Sequence, residues 1–340
     1  MVFIDTEVNP KTRQIQDIGC IKSNRDEFHS NDLGLLIKFI KREDYFVGHN
    51  IIKHDLVYLH KTKVKKYIDE HKCIDTLFLS TLLYPEKPYH SLVKDDKLYT
   101  DSVNNPLNDS KTTQKIFADI VDAFNKLDGA MKDIFFALLS EIPGFEAFFN
   151  YLKYKPNNKK IQDLIKKKFK DKYCENAELG SFINKNQVEL AYSLALINTN
   201  EVESLLPGWV LKSYPEVENI LWKLRNTPCH ENCHYCDNHL SSLKALNQYF
   251  SYSSFRDFDG VPLQEQAVKA AIENRSIITV FPTGGGKSLA FQLPALMAAE
   301  SVRGLTVVIS PLQSLMKDQV DNLETKNITK AVFINGLLVP

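Results

Sequence analysis

The residues of this chain best suited to hold a phosphate are three consecutive glycines, a lysine and a serine, within Val280-Phe281-Pro282-Thr283-Gly284-Gly285-Gly286-Lys287-Ser288. Without Cβ atoms, the glycines let the backbone curl until its N–H groups converge on phosphate oxygens. A helix opening directly afterwards adds the positive end of its dipole. Lys287 would neutralise the outer phosphates, and the Ser288 hydroxyl would reach Mg²⁺. The apolar run Ile277 to Phe281 predicts a buried strand leading into the loop. The general phosphate-loop pattern has a glycine where Phe281 stands, so the match is to the Thr-Gly-Gly-Gly-Lys-Ser variant. A ligand-free strand-to-helix turn is the alternative reading.

A second set of groups is acidic. Met1-Val2-Phe3-Ile4-Asp5-Thr6-Glu7 is an apolar strand ending in two carboxylates on one face. Such a pair is poor for stability unless a cation holds it, which points to a divalent metal. Phe46-Val47-Gly48-His49-Asn50 leads to Asp55, with Leu56, Tyr58 and Leu59 continuing at helical spacing. Asn105-Pro106-Leu107-Asn108-Asp109 opens a helix whose stripe is Ile116, Ile120, Phe124 and Leu127.

A third set is soft. Cys229, Cys233 and Cys236 lie within eight residues and can converge on one ion, and thiolates with imidazole favour Zn²⁺. His239 is the leading fourth ligand, with His230, His234 and Cys174 as alternatives. The same spacing also resembles the iron–sulfur loop of radical enzymes, but the repeated strand–helix pattern expected beside such a loop is missing.

These groups need elements to position them. The 340 residues allow two or three domains, and a net charge of zero with 44% hydrophobic residues describes an ordinary soluble globular chain. The first residues show neither a basic n-region nor an apolar h-region and no apolar run approaches the length of a membrane span, so a cytoplasmic location is expected, nucleoid-associated if the source is bacterial. Without a sign of secretion, Cys20, Cys73 and Cys174 read as free thiols. Residues 111 to 227 are expected to be mostly helical, with Met131, Ile134, Phe135, Leu138 and Leu139 on one face. Between Lys153 and Lys172 nine lysines face two aspartates, either a solvated helix face or a phosphate-tracking patch.

Tyr249-Phe250, Leu263-Gln264-Glu265-Gln266-Ala267-Val268, the glycine loop, Leu289 to Leu296 and Ile309 to Val320 together resemble the first RecA-like domain of RecQ-family DNA helicases, over residues 249 to 340. The resemblance implies ATP with Mg²⁺ as cofactor. It makes Gln264 the adenine-reading residue, with Thr283, Gly284, Gly285, Gly286, Lys287 and Ser288 around the phosphates, and it assigns Ser310 to Gln319 to the DNA track. That family continues with an Asp-Glu-Ala-His box and a second RecA lobe. No such box occurs in these residues, and with the apolar Gly336 to Pro340 at the end the chain is expected to be truncated within the first lobe. Another chain supplying the remainder is one possible partner.

Asp5, Glu7, Asp55 and Asp109, each in its context, resemble the four acids of DnaQ-like 3′–5′ exonucleases, over residues 1 to 125. The resemblance implies two Mg²⁺ or Mn²⁺ ions, with Asp5 bridging both and the others completing their coordination. The histidine branch has its proton acceptor five residues before the last aspartate, where this chain has Asn104. His90 is the candidate replacement, beyond which an insertion carries Asp95, Asp96 and Asp101; Tyr89 would be the equivalent of the tyrosine branch.

The expected architecture is α/β. It comprises an RNase H-like exonuclease domain (1–125), a mostly helical connector (126–227), a cysteine and histidine metal-binding segment (228–248) and a partial RecA-like phosphate-loop domain (249–340). The expected function is processing of DNA with a 3′ end, in repair, recombination or defence. The rival expectations are a non-catalytic DNA-binding scaffold and a nucleotide-dependent switch without a nucleic-acid substrate.

Overall fold

The computed structural model describes residues 1–87, 89–90, 92, 105–157, 160–199, 206–229, 231–282 and 284–335. Asp95, Asp96, Asp101, Asn104, His230, Thr283 and the final five residues therefore lie outside the described residues. The chain forms two compact units, one of Met1–Lys168 with Leu179–Val217 and the other of Phe169–Glu178 with Glu218–Pro340. No described helix is long and apolar enough to cross a membrane.

The first unit is built on strands β1 (Val2–Val8), β2 (Ile15–Lys22), β3 (Glu27–His29), β4 (Phe46–Gly48) and β5 (Cys73–Asp75), in the order β3-β2-β1-β4-β5. The first three form an antiparallel meander, while β4 and β5 run parallel to β1. Parallel neighbours need crossovers. Helices α1 (Leu33–Ile40) and α2 (Asp55–Leu59) serve here, and α3 (Thr76–Leu83) and α4 (Pro106–Lys126) follow β5. The central strand is covered on both faces, so its apolar start does not alternate. Val2 and Ile4 join Ile18, Cys20, Leu36, Ile40 and Leu56, while Phe3 meets Phe117 of α4 edge-on at 5.9 Å.

Helices α5 (Gly129–Leu139), α6 (Glu146–Leu152), α7 (Ile161–Lys168), α8 (Leu179–Lys185), α9 (Gln187–Asn198) and α10 (Gly208–Ser213) complete this unit. The boundary expected at residue 125 has no counterpart in the packing. Phe78 of α3 stacks on Trp209 with ring centroids 5.4 Å apart, and the Tyr192 hydroxyl donates to the Phe78 carbonyl at 3.2 Å. The helices expected as a connector share a core with the sheet domain, with α9 packed on α3 and α6 on β5. In α7, Ile165 is buried and Lys168 pairs with Asp128 at 2.6 Å, which ties part of the lysine-rich segment down.

The second unit contains most of α11 (Glu216–Arg225), then α12 (His234–His239), α13 (Ser242–Phe250), α14 (Leu263–Ile272), α15 (Leu289–Val302) and α16 (Gln313–Glu324). Leu246, Phe250, Val268, Ile272, Leu289, Leu293 and Met297 form its core. The strand expected at Ile277 to Phe281 is not formed. Ile278 and Val280 are 95% and 85% exposed, and only Phe281 is buried, stacked on Phe258 at 5.2 Å. A strand exists by pairing with a neighbour, and no neighbour pairs with this segment among the described residues.

Candidate functional site

The carboxylates are brought together by one close approach. Asp5 of β1 lies opposite Gly19 of β2. A Cβ at Gly19 would stand 2.0 Å from the Leu107 nitrogen, so only glycine lets the start of α4 cross the strand there. The Ser110 hydroxyl then donates to the Gly19 carbonyl at 2.8 Å. Pro106 sits in the first turn of α4 and Asn105 caps it, accepting from Leu107 N at 3.0 Å. Asp109, in that first turn, is thereby delivered to β1. The carboxylates of Asp5, Glu7 and Asp109 offer oxygens that all lie within 4.8 Å of one another.

Asp55 comes from the start of α2 and is buried. Its Oδ1 accepts from Thr6 N at 2.8 Å and from Thr6 Oγ1 at 2.7 Å. Its Oδ2 is buried with no hydrogen-bond partner. Burial, followed by the charges of Asp55, Asp109 and Glu7, pushes the Asp5 carboxyl up to about 8. Crowded, dehydrated carboxylates of this kind are stabilised by a shared cation, and an all-oxygen donor set suits Mg²⁺ or Mn²⁺.

The histidine set against these acids is His54, which the sequence analysis passed over although it directly precedes Asp55. Its Nδ1 lies 3.8 Å from Asp55 Oδ1, and Asp55, with Asp5 and Glu7 behind it, raises its pKa. His90 is buried, its Nδ1 within 2.8 Å of Ser80 Oγ and its Nε2 without a partner. Burial holds its pKa down at about 4. Tyr89, the other candidate of that stretch, is exposed.

In the second unit the three clustered thiols gain a fourth from far away in the chain. The sulfurs of Cys174, Cys229, Cys233 and Cys236 all lie within 4.8 Å of one another. His239, expected as the fourth ligand, is not in this group: its ring stacks on Tyr235 at 4.8 Å.

The glycine loop turns through positive φ at Gly284 (76°) and Gly286 (75°), conformations that glycine adopts without strain. A Cβ at Gly286 would come within 2.4 Å of Gln264 Nε2. That amide donates to the Gly286 carbonyl at 3.1 Å, while its Oε1 accepts from Arg256 N at 3.0 Å. The Arg256 guanidinium donates to the Gly284 carbonyl at 2.6 Å. Gln264, expected to read adenine, thus has both ends of its amide on backbone. Lys287 is exposed, and Ser288 stands at the N-cap of α15 with no side-chain capping bond.

Residues 261–337 match the family model of the DEAD/DEAH box helicase. The ATP-dependent DNA helicase RecQ of Haemophilus influenzae is 45% identical over 96 residues, which is 28% of this chain and 14% of that protein. RecQ of Bacillus subtilis is 47% identical over 92 residues, 27% of this chain and 14% of the relative. The ATP-dependent helicase SGS1 of Saccharomyces cerevisiae is 44% identical over 91 residues, 27% of this chain and 6% of its own length. The chain thus spans a small part of these relatives, and the similarity covers about a quarter of the chain. No solved structure matches it.

Proposed function

We propose that the chain is part of a DNA-processing enzyme that joins a metal-dependent 3′–5′ exonuclease to the ATP-binding region of a RecQ-like helicase. The single observation that carries the nuclease reading is the convergence of Asp5, Glu7 and Asp109 within 4.8 Å. The order of the sheet, a three-strand antiparallel meander followed by two parallel strands, supports it by placing the acids at the end of the central strand. The helicase match at 261–337, with its similarity to RecQ DNA helicases, supports reading this region as part of a motor that acts on DNA.

Asp5, Glu7, Asp55 and Asp109 would hold two Mg²⁺ or Mn²⁺ ions, which, when bound, supply charge to the attacking and leaving oxygens of a phosphodiester. The side chains provide the rest. Thr6 fixes one oxygen of Asp55 and leaves the other aimed away from hydrogen bonds. For the proton acceptor, the specific observation favours His54. Its Nδ1 lies 3.8 Å from Asp55 Oδ1, and that carboxylate, followed by Asp5 and Glu7, raises its pKa, so the ring faces the acids that would hold the metal. His90, the residue chosen from sequence, is neutral at pH 7 and is the second reading.

At the glycine loop, Lys287 and Ser288 would meet ATP phosphates and Mg²⁺, and the amide of Gln264 would exchange a backbone partner for adenine.

The test is removal of nucleotides from 5′-labelled single- and double-stranded DNA with Mg²⁺ or Mn²⁺. Asp5→Asn should abolish activity, and His54→Ala compared with His90→Ala should separate the two acceptors. Wild-type protein inert on every end and with both metals would leave the scaffold reading standing instead. Nucleotide binding with no DNA affinity would favour the switch, and DNA affinity without nucleotide would reject it.

A further inference from the structure

We infer that Cys174, Cys229, Cys233 and Cys236 form a closed four-thiolate Zn²⁺ centre that fastens the segment Phe169–Glu178 into the second unit. The four sulfurs lie within 4.8 Å of one another, and Cys174 Sγ and Cys233 Sγ are 3.9 Å apart. Four sulfurs at about 2.3 Å from a central Zn²⁺ stand about 3.8 Å apart along the edges of the tetrahedron. The observed pair therefore sits at a tetrahedral edge, whereas a disulfide requires about 2.0 Å.

The donor chemistry selects the ion. Four sulfurs exclude Mg²⁺ and Ca²⁺ and suit Zn²⁺. With all four positions taken by protein, no place is left for water or substrate, so the role is structural. Cys174, Cys233 and Cys236 are buried, and the Asn176 side-chain amide donates to Cys229 Sγ at 3.4 Å, as the outer partner of a metal-bound thiolate does. Thiols packed simply as small apolar groups are the alternative. Beyond the sulfurs, however, the cluster contains only Tyr235, Leu240 and Ala177 among the described residues, a small core for a segment that must be held from a distance.

The topology shows what the ion does. Residues up to Lys168 and from Leu179 belong to the first unit, yet the ten residues between them belong to the second. Cys174 is anchored there by its backbone N–H, which donates to the Leu224 carbonyl at 2.7 Å. A metal shared between Cys174 and the loop before α12 holds this excursion in place and closes a loop of roughly fifty residues, which a coordination bond does at the expense of unfolded-chain freedom.

The experiment is elemental analysis of the whole purified chain together with Co²⁺ substitution. One Zn²⁺ per chain is expected, retained in His239→Ala and lost or much weakened in Cys174→Ser, with a Co²⁺ form showing strong sulfur-to-metal charge transfer. In case Cys174→Ser fails to fold, the wild type is also titrated with a mercurial thiol reagent, which should release one Zn²⁺ as four thiols react. Chelation should open Lys170 and Lys172 to trypsin. Full zinc content in Cys174→Ser, loss of zinc in His239→Ala, iron in place of zinc, or four reactive thiols with no metal released would each overturn the inference.

Discussion

Thr6 donates twice to a single oxygen of Asp55, from its backbone nitrogen at 2.8 Å and from its hydroxyl at 2.7 Å. Residue 6 is buried between two carboxylates that face the site, so its hydroxyl orients Asp55 without itself being a ligand. Thr6→Val keeps the shape and removes one bond to a buried carboxylate. It should cost about 1–3 kcal/mol in urea unfolding and slow DNA hydrolysis with the metal requirement shifted to higher concentration. Unchanged metal dependence in a stable variant would show that Asp55 needs no such orientation.

Gly19 controls the approach of α4. Gly19→Ala places a Cβ about where the Leu107 backbone now runs, 2.0 Å from its nitrogen, so the helix start must move. Overpacking of this kind costs about 1–3 kcal/mol. A shift of Asp109 by about 1 Å should lower the nuclease rate on the order of a hundredfold, read in single-turnover assays beside circular dichroism to confirm folding. Wild-type rates would mean that Asp109 is not part of the site.

The loop at Gly284 to Ser288 has its own test. Lys287→Ala removes a charge directed at phosphate and should weaken ATP binding roughly 10- to 100-fold, as measured by nucleotide titration. Gly286→Ala should act differently, through strain at positive φ and collision with the Gln264 amide, and should lower stability as well as affinity. Equal ATP affinity in Lys287→Ala would remove the phosphate reading.

Asp75 ends β5 and is fully buried, with Oδ1 accepting from Asn50 N and Leu77 N and Oδ2 from Ile52 N at 3.1 Å. It holds the turn that precedes Asp55. Asp75→Asn turns an acceptor into a donor facing another N–H, and should cost about 1–3 kcal/mol by thermal or urea unfolding. A neutral result would mean that the turn relaxes freely.

Acid should destabilise the first unit through its histidines. Burial holds His49 and His90 at about 4, below the ordinary 6.5. In the unfolded chain both rings take a proton near pH 6.5, so their contribution is complete above that pH and is lost as pH falls toward 4. The buried carboxyls of Asp5, at about 8, and Asp75, at about 7, act in the opposite sense, so the histidine part is read as a difference: between pH 7 and pH 4 the urea midpoint of His90→Gln should fall less, or rise more, than that of the wild type. An unaltered slope in the variant would show that His90 is already accessible to protons.

Local groupings of residues were legible in the sequence alone. The glycine loop, the Asp5 and Glu7 pair and the Cys229, Cys233 and Cys236 cluster were found because neighbouring residues carry the whole signal. The helices of the middle segment were found through their apolar stripes. Tertiary structure decided what distance along the chain conceals. Asp109 reaches Asp5 because Gly19 lacks a Cβ, Cys174 displaces His239 from the thiol group, and Gln264 turns to the loop backbone. The strand expected at Ile277 to Phe281 was misread because an apolar run records a tendency to be buried, whereas a strand is made by the hydrogen bonds of its neighbours, and none pairs with it among the described residues.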